Sequence, residues 1–509
     1  MRRHHFCAFA FAALAAFAVA NPSAAQTLKV GLDEDPTVLD PAQSGNLGER
    51  QVFAALCDKL VDIDPTGKIV PKLATSWELS NDSKAITLNL RKDVIFHDGE
   101  PFNAAAVKFN IERSKTLSES RRKSELGPVD SVDVVDDYTV RFNLKQPYAP
   151  LLAQLSDRSG MMISPKAAAA MSPADFGSHP VCSGPFSFVE RVPQERVVVK
   201  KFDKYWNAAN IHFDQITYVT MPDSVVRFSN VLSGQLDIGV GILATDIKRG
   251  EADPRIHMYS TPGLGFDFLH INMGSAPRNS GPISTNPKLR EALELSIDRN
   301  ALVTAISNGA YLVGNQPVPS TSPYYVKDMP VPSRDIERAK KLVKEAGFTR
   351  VPVTLLILNT TMNVQGAQVI QSMARDAGFD IKIDSRETGT AEDRYFNGDF
   401  EMFWGSWSGR VDPDGNIANW LMCEGGANLS TAKYCNQDVD KYLATAKSAS
   451  AFEDRYKAYD EAAHIYLVDR PIIVMFHQIW VFAATKRLEG FKPYVDSLIR
   501  PAGLTLSPS

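Results

Sequence analysis

Residues 71–113 read PKLATSWELSNDSKAITLNLRKDVIFHDGEPFNAAAVKFNIER and carry the pattern that decides the fold. Within them, Ala85–Leu90 alternates apolar and polar residues, which is typical of a half-buried β-strand. The His-Asp-Gly sequence at 97–99 indicates a turn, and Asn103 is suited to cap the helix that follows. The stretch therefore predicts a strand, a turn and a helix around an aromatic core formed by Trp77, Phe96 and Phe102.

The N-terminus has the features of a secretory signal. Two arginines precede the apolar run Phe6–Ala20, and small residues lie just before Gln26, as at a cleavage site. The run is shorter than the ~20 residues that a membrane-spanning helix needs. We therefore predict that residues 1–25 are a cleavable signal peptide. Cys7 lies at the start of the apolar run, so a lipoprotein anchor is not expected and the mature chain is predicted to be free in the periplasm.

Length and charge narrow the class of protein. The chain has 509 residues, of which 44% are hydrophobic, and this is too long for one hydrophobic core. Its formal net charge of −4 gives no electrostatic surface for nucleic acid, and no nucleic-acid partner is expected. Two or three domains are predicted.

One region predicts a β-α-β-α-β unit. Strands are expected at Val353–Asn359, Phe379–Asp384 and Phe400–Trp404, with helices at Val364–Ala377 and around Arg394. Such a unit favours a parallel sheet with right-handed crossovers. Ligands on parallel sheets bind beyond the carboxyl ends of the strands.

Three loops meet that condition. They are Asn359–Met362 and Gly405–Asp414 in the β-α-β-α-β unit, and the loop around Asp35 after the predicted strand Thr27–Leu32. The sequence therefore predicts a binding site between two domains.

Several motifs resemble one known family. Residues 71–113 join a Leu-Ala-x-Ser-Trp sequence to a Phe-His-Asp-Gly-Glu-Pro-Phe turn. Similar matches occur at Pro36–Pro41, Cys182–Phe186, 224–238, Leu289–Val303 and Trp404–Asp414. Together they resemble the family 5 solute-binding proteins, the periplasmic receptors of peptide, opine and nickel import systems.

The resemblance implies an α/β, bilobal periplasmic binding protein-like fold (class II/cluster C) with an inserted α+β subdomain. Lobe I is expected to be discontinuous and to comprise residues 26–55, 180–262 and 478–509. Residues 56–179 are expected to form the inserted subdomain, and residues 263–477 lobe II. The lobes would close on the ligand by hinge motion.

The resemblance also implies a function. The protein would capture small peptides, such as di- or tripeptides or glutathione-like compounds, and deliver them to the permease of an ABC importer. An opine or another acidic conjugate is the alternative ligand. The receptor is expected to be a monomer that uses no cofactor.

Two short motifs typical of enzymes lack their companions. Ser430–Lys433 matches the Ser-x-x-Lys of penicillin-recognising enzymes, without Ser-Asp-Asn or Lys-Thr-Gly. Gly239–Ala244 mimics a dinucleotide fingerprint, but no helix with an acidic partner follows. We therefore expect no enzyme and no catalytic residue, and a secreted hydrolase is kept as a minor alternative.

The segment Trp404–Asp414 resembles the binding loop of the family. In dipeptide-binding relatives an aspartate of this loop binds the ligand's α-ammonium group, and an arginine at the end of an earlier strand binds its α-carboxylate. Here Arg410 stands where an acid is often found, and Asn359 stands roughly in the place of the arginine. Since guanidinium groups suit carboxylates, we expect Arg410 to bind an acidic group of the ligand, with Asp412 or Asp35 for a cationic group. The alternative is that Arg410 pairs with an aspartate of its own loop, Asp412 or Asp414.

Trp404 and Trp407 should face opposite sides of their strand, so that one lies in the core and the other in the pocket. His477 lies near a strand that lines the site in relatives, but a lone histidine is more often structural. No histidine cluster suits nickel, and no metal site is expected. The predicted ligand-binding residues are Asp35, Asn359, Thr360, Trp404, Trp407, Ser408, Gly409, Arg410, Asp412 and His477.

Four cysteines remain after export. By resemblance to peptide-binding relatives, Cys423 and Cys435 are expected to form a short disulfide loop, with two buried thiols as the alternative. Cys57 and Cys182 are a possible second pair, although Cys57 also suits a core position.

Overall fold

The computed structural model describes residues 26–274, 281–425, 428 and 431–508. The predicted signal peptide, residues 1–25, and Ser430 of the Ser-x-x-Lys motif lie outside the described residues. Among the helices of the described chain, none has both the length and the apolar character required to cross a membrane.

The strands, in chain order, are β1 Thr27–Leu32, β2 Val61–Ile63, β3 Ile69–Pro71, β4 Ala74–Leu79, β5 Ala85–Leu90, β6 Val129–Asp136, β7 Thr139–Leu144, β8 Phe186–Val192, β9 Arg196–Lys201, β10 Gln215–Thr220, β11 Ile238–Val240, β12 Ile256–Pro262, β13 Phe266–Ile271, β14 Leu312–Val313, β15 Val351–Leu358, β16 Phe379–Arg386, β17 Met402–Trp407, β18 Ile472–His477, β19 Ile479–Thr485, β20 Leu488–Glu489 and β21 Thr505–Leu506.

The α-helices are α1 Leu47–Leu56, α2 Ala104–Thr116, α3 Lys123–Leu126, α4 Leu151–Gln154, α5 Pro165–Ala170, α6 Pro173–Ser178, α7 Ser224–Leu232, α8 Ile247–Glu251, α9 Pro282–Thr285, α10 Pro287–Ser296, α11 Arg299–Ser307, α12 Ile336–Glu345, α13 Thr361–Arg375, α14 Thr388–Phe396, α15 Asp414–Leu421, α16 Gln437–Ser448 and α17 Phe452–Asp469. Short 3-10 turns occur at Arg158–Gly160, Ala208–Asn210 and Ala244–Asp246.

Lobe I is built on a seven-stranded sheet with the order β12-β19-β11-β1-β10-β9-β8. The predicted first strand, Thr27–Leu32, is confirmed as β1, and it runs parallel to both β10 and β11. Since these strands are parallel, their carboxyl ends at Leu32, Thr220 and Val240 meet at one edge. That edge faces the second lobe.

Lobe II is built on a six-stranded sheet with the order β14-β18-β13-β17-β15-β16. The predicted β-α-β-α-β unit is confirmed, because β15 is parallel to both β16 and β17, and α13 and α14 connect them. The sheet is mixed as a whole, since β13 is antiparallel to β17 and β18. Strand β17 begins at Met402, two residues later than the predicted strand.

The stretch 71–113 belongs to the inserted subdomain, whose sheet has the order β4-β5-β7-β6. The predicted strand Ala85–Leu90 is β5, and the Asn103 side chain caps α2 by accepting a hydrogen bond of 3.0 Å from Ala106 N. Phe96 and Phe102 are fully buried in the subdomain core, with Trp77 packed against it. The strand, the capped helix and the aromatic core predicted from this stretch are therefore all present.

Two adjacent crossings connect the lobes. One runs from β12 to β13 and the other from β18 to β19, and Gly263 N donates to Gln478 O at 3.0 Å between them. Gly409 has a φ of 81°, and a side chain there would collide with the Leu264 backbone next to the first crossing. The crossings are therefore short, tightly packed and joined to the loop that follows β17.

The expected disulfide Cys423–Cys435 is confirmed, and the pair Cys57–Cys182, which the sequence left open, is also a disulfide. Cys57 is bonded to Cys182 and Cys423 to Cys435, with Cα–Cα distances of 4.9 and 4.4 Å. The first joins the end of α1 to the segment that leads into β8, so it links lobe I to the return from the inserted subdomain.

Candidate functional site

A cavity of about 1320 Å³ lies between the two lobes and the inserted subdomain. Its walls include Asp33 after β1, Tyr148 of the inserted subdomain and Trp407 at the end of β17. The cleft is closed on one side, because Ala149 N of the subdomain donates a hydrogen bond of 2.8 Å to Lys447 O of lobe II. The predicted position of the site, beyond the carboxyl ends of β1, β15 and β17, coincides with this cavity.

Aromatic side chains form one wall of the cavity. Trp407 and Trp420 meet edge to face with ring centroids 5.5 Å apart, and Phe268 contacts Trp420 at 5.1 Å. Tyr395 and Phe403 are stacked at 4.1 Å. Such rigid surfaces offer large contact areas to apolar parts of a ligand at little cost in side-chain entropy.

Arg410 lines the cavity and lies over the Trp407 ring, with the guanidinium carbon 4.4 Å from the ring centroid. Its Nη1 donates to Gly409 O at 2.8 Å, and its backbone N–H donates to Asn416 Oδ1 at 2.7 Å. Burial lowers the pKa of Arg410 from its ordinary value. Among the described residues, no carboxylate oxygen lies within 4.0 Å of its nitrogens, so the pairing within its own loop is not formed.

Asp412 is engaged elsewhere and does not line the cavity. Its two carboxylate oxygens accept hydrogen bonds from Arg455, both at 2.8 Å, and Oδ1 also accepts from Asp414 N at 2.9 Å. Both members of the Asp412–Arg455 pair are buried. The pair fixes the loop to α17, and Asp412 has no oxygen directed at the cavity.

Asp414 is the carboxylate of this loop that reaches the cavity. Its Oδ1 lies 3.5 Å from Lys447 Nζ and accepts no hydrogen bond from the described residues. Burial raises the pKa of Asp414 to about 6. Because Asp414 lines the cavity, its side chain is available to a cationic group of a ligand.

Asp35 of lobe I, like Asp412, is paired with an arginine and does not line the cavity. It forms an ion pair of 2.7 Å with Arg191 and lies outside the cavity lining. Its neighbours Asp33 and Glu34 do line the cavity. Asp33 Oδ1 is buried without a hydrogen-bond partner among the described residues, and burial raises the pKa of this carboxyl group. Glu34 accepts from Leu47 N at 2.9 Å, at the N-terminus of α1.

The predicted tryptophans pack on opposite sides of β17, as their spacing requires. Trp404 is 1% exposed, belongs to the core that includes α13, and donates its indole N–H to Asp267 Oδ1 at 2.9 Å. Trp407 is half-buried and packs against the other core of lobe II. Both contribute to the cavity wall, although Trp407 alone supports Arg410.

The remaining predicted residues divide into two groups. Thr360 and Ser408 line the cavity, and Thr360 also caps α13. Asn359, Gly409 and His477 do not line it. His477 is buried, with its two ring nitrogens 3.0 Å from Gly265 O and 3.1 Å from Gln316 O, which indicates a role in packing at the crossing.

Two buried arginines of the inserted subdomain, Arg122 and Arg158, also line the cavity and were not predicted from the sequence. Both donate to the carbonyl oxygen of Ser44, at 3.2 and 3.3 Å. No motif surrounds either residue, and their proximity to Arg410 depends on the arrangement of three separate parts of the chain. The sequence holds no signal for that proximity.

The chain belongs to the bacterial extracellular solute-binding proteins, family 5, whose middle-region profile matches residues 68–428. Members of this family are substrate-binding components of ABC importers and are periplasmic in Gram-negative bacteria. The bilobal α/β fold is that of the family.

Similar proteins match over nearly the whole chain. The glutathione-binding protein GsiB of Pectobacterium atrosepticum is 29% identical over 503 residues, covering 96% of each protein. The dipeptide-binding protein of Escherichia coli strain K12 is 27% identical over 513 residues, covering 94% of each. Among solved structures, the periplasmic binding protein DppA of Helicobacter pylori, in complex with peptide STSA, is 25% identical with a TM-score of 0.84, covering 94% of this chain and 98% of that one.

Proposed function

We propose that this protein captures small peptides in the cavity between its lobes and delivers them to the permease of an ABC importer. The observation that carries the proposal is the cavity itself, which lies between the lobes and combines an aromatic wall with charges of both signs. It performs no chemistry on its ligand. The mature chain begins at Gln26 and acts as a free periplasmic monomer.

The volume of the cavity fits a small peptide with some water. Typical small-molecule pockets measure roughly 300–1,000 Å³, and about 1320 Å³ leaves room for a tripeptide and its bridging waters. A peptide also offers apolar side chains to the wall formed by Trp407 and Trp420.

The charges suit a zwitterionic ligand. Asp33 and Asp414 both line the cavity, and either carboxylate can hold an α-ammonium group. Arg410 presents a guanidinium that forms no ion pair with a carboxylate of the described residues, which suits an α-carboxylate. We therefore infer that the ligand's two ends are bound by residues of different parts of the chain.

An acidic conjugate of the opine type is the second candidate. The observation that favours it is the number of arginines at the cavity, because an opine carries more than one carboxylate. Both candidates share the same receptor function.

The test is to identify what the protein binds. Small molecules released by denaturing protein purified from the periplasm would be analysed by mass spectrometry, followed by thermal-shift and calorimetric assays with di- and tripeptides and opines. We expect a peptide to co-purify or to raise the unfolding temperature. If no peptide or opine binds, the proposal is wrong, and hydrolase assays on the purified protein become the next step.

A further inference from the structure

Three arginines from distant parts of the chain line one region of the cavity: Arg122, Arg158 and Arg410. We call them the arginine corner. Arg122 and Arg158 are each 5% exposed, and both donate to the same carbonyl oxygen, that of Ser44. Two like charges are therefore held side by side at the cavity wall, an arrangement that costs free energy unless something compensates it.

The surrounding carboxylates do not balance this charge. Arg122 is paired with Glu125 at 2.6 Å, and Asp157 is paired with a fourth arginine, Arg50, at 3.2 Å. Arg158 Nε lies 3.9 Å from Asp157, which is already occupied. The group thus contains four guanidinium groups and two carboxylates.

The electrostatics of the group reflect the imbalance. Burial lowers the pKa of Arg158 to about 9, and repulsion from Arg122, Arg50 and Arg410 acts in the same direction against the attraction of Asp157. Burial also lowers the pKa of Arg410, which feels the same cluster. An anion bound at this place would relieve the repulsion.

Hydrogen-bond donors are also left over. A guanidinium group has five N–H donors. The Nε atoms of Arg122 and Arg158 are buried, and neither has a hydrogen-bond partner among the described residues. Buried charged donors are normally satisfied, so these two unpaired N–H groups add to the free-energy cost of holding the guanidinium groups beside the cavity.

We propose that the arginine corner binds two carboxylate groups of one ligand, so that the preferred peptide is acidic. One terminal carboxylate would compensate only one of the two excess positive charges. A peptide with a side-chain or γ-linked carboxylate in addition to its terminal carboxylate compensates both. This inference rests on the proposed peptide-binding function and adds the chemical class of the peptide.

The experiment compares two matched tripeptides, Ala-Glu-Ala and Ala-Gln-Ala, by calorimetry on the full mature chain. They differ by one ionised carboxylate. We expect wild type to bind Ala-Glu-Ala at least about tenfold more tightly, because charge-assisted hydrogen bonds in a desolvated site are strong. Arg158→Gln should remove most of that preference, while Arg141→Gln, an exposed arginine of the same subdomain, should leave it unchanged.

The stability of the variant separates a binding role from a structural one. Since Arg158 is repelled by its neighbours, we expect Arg158→Gln to unfold at the same urea concentration as wild type or at a higher one. If Arg158→Gln does not fold, Arg410→Gln gives the same test from the loop after β17. If the role of the arginine were purely structural, its substitution would weaken the binding of both tripeptides equally, and that result overturns the inference.

The outcomes distinguish this inference from the proposed function. Binding of both tripeptides with equal affinity overturns the inference and leaves the peptide-receptor function standing. A preference for Ala-Glu-Ala that survives in both Arg158→Gln and Arg410→Gln also overturns it. If neither these tripeptides nor reduced glutathione binds, while di- and tripeptides of other sequence do, the acidic class is wrong. If no peptide binds at all, both proposals fail together.

Discussion

The backbone N–H of Ala149 donates a hydrogen bond of 2.8 Å to the carbonyl oxygen of Lys447 across the cleft. Ala149 belongs to the inserted subdomain, and Lys447 lies near the end of α16 in lobe II, where its side chain also approaches Asp414 at 3.5 Å. This contact joins the two sides of the cavity. It uses a backbone donor, so it can be removed without changing a charge.

We predict that Ala149→Pro, which lacks the N–H, weakens ligand binding about fivefold. The reason is that a net hydrogen bond is worth about 1 kcal/mol, and here it joins the two sides of a cleft that would close on the ligand. Calorimetry measures the affinity, and small-angle scattering of the liganded protein measures closure. Ala149→Ser keeps the N–H and should bind like wild type. Equal affinities of the proline and serine variants would show that the contact does not contribute to the liganded state.

The buried pair Asp412–Arg455 should be important for stability. Asp412→Ala leaves the Arg455 guanidinium buried without its carboxylate, and breaking such a pair costs about 3–5 kcal/mol. We therefore expect a large decrease in the urea midpoint, followed by circular dichroism, together with loss of ligand binding because the loop after β17 is released. The double variant Asp412→Ala/Arg455→Met should be less destabilised than the sum of the single variants.

An exposed ion pair provides the control. Arg338 and Glu291 are 2.7 Å apart on the surface of lobe II, and exposed pairs contribute about 0–1 kcal/mol. Arg338→Met should therefore barely change the midpoint. If Asp412→Ala is as stable as Arg338→Met, the role assigned to the buried pair is wrong.

Strands and helices could be predicted well from the sequence, because the signals for them lie within a few residues of one another. The alternation in Ala85–Leu90 and the capping residue Asn103 each act within a few residues of the chain, and both are found where they were expected. The same holds for the β-α-β-α-β unit, whose parallel pairing follows from its crossover helices. For this reason it could also be predicted that the loops at the carboxyl ends of these strands line the cavity.

The individual site residues were harder to predict, since partners distant in sequence decide what each charge does. Asp412 lies 43 residues from Arg455, and Asp35 lies 156 residues from Arg191. These pairings occupy the two aspartates that were expected to bind a cationic group. The loop pattern placed Arg410 at the cavity, but nothing in the sequence indicates that Arg158 joins it there.

The two disulfides should differ in their contribution to stability. The Cys57–Cys182 bond closes a loop with a sequence separation of 125 residues, whereas Cys423–Cys435 spans 12. In the chain-entropy view, a disulfide stabilises the folded protein by restricting the unfolded chain, by about 4–5 kcal/mol when it closes a long loop and by about 3 kcal/mol when it closes a short one. We expect Cys57→Ala/Cys182→Ala to lower the urea midpoint more than Cys423→Ala/Cys435→Ala. The reverse order would mean that native packing, rather than loop closure, determines their effect.

Asp267 should make stability depend on pH. It is fully buried in β13, accepts from Trp404 and Ser406 of β17, and also accepts from Gln478 at the crossing between the lobes. Burial raises the pKa of Asp267 to about 6, against an ordinary value of 3.8. The folded state therefore holds a proton on Asp267 between these pH values that the unfolded chain has already released.

The direction in which stability changes with pH follows from the difference between the pKa values of Asp267 in the folded and unfolded states. Above pH 6 the carboxylate is ionised in both states and its burial costs stability, and below pH 3.8 it is neutral in both and the cost disappears. The stability of wild type relative to Asp267→Asn should therefore fall by about 2–3 kcal/mol as the pH rises from 4 to 7. Asparagine has the same shape, can still accept from Trp404, and does not titrate.

Urea titrations of wild type and Asp267→Asn at several pH values between 4 and 7 measure this difference directly. Asp253→Asn is the control, because hydrogen bonds from Arg255 lower the pKa of Asp253 to about 2. That carboxylate is ionised throughout the upper part of the range in both states, so its substitution should add little pH dependence. A pH-independent difference between wild type and Asp267→Asn would show that Asp267 stays ionised in the folded protein. The hydrogen bonds from Trp404, Ser406 and Gln478 would then outweigh the cost of its burial.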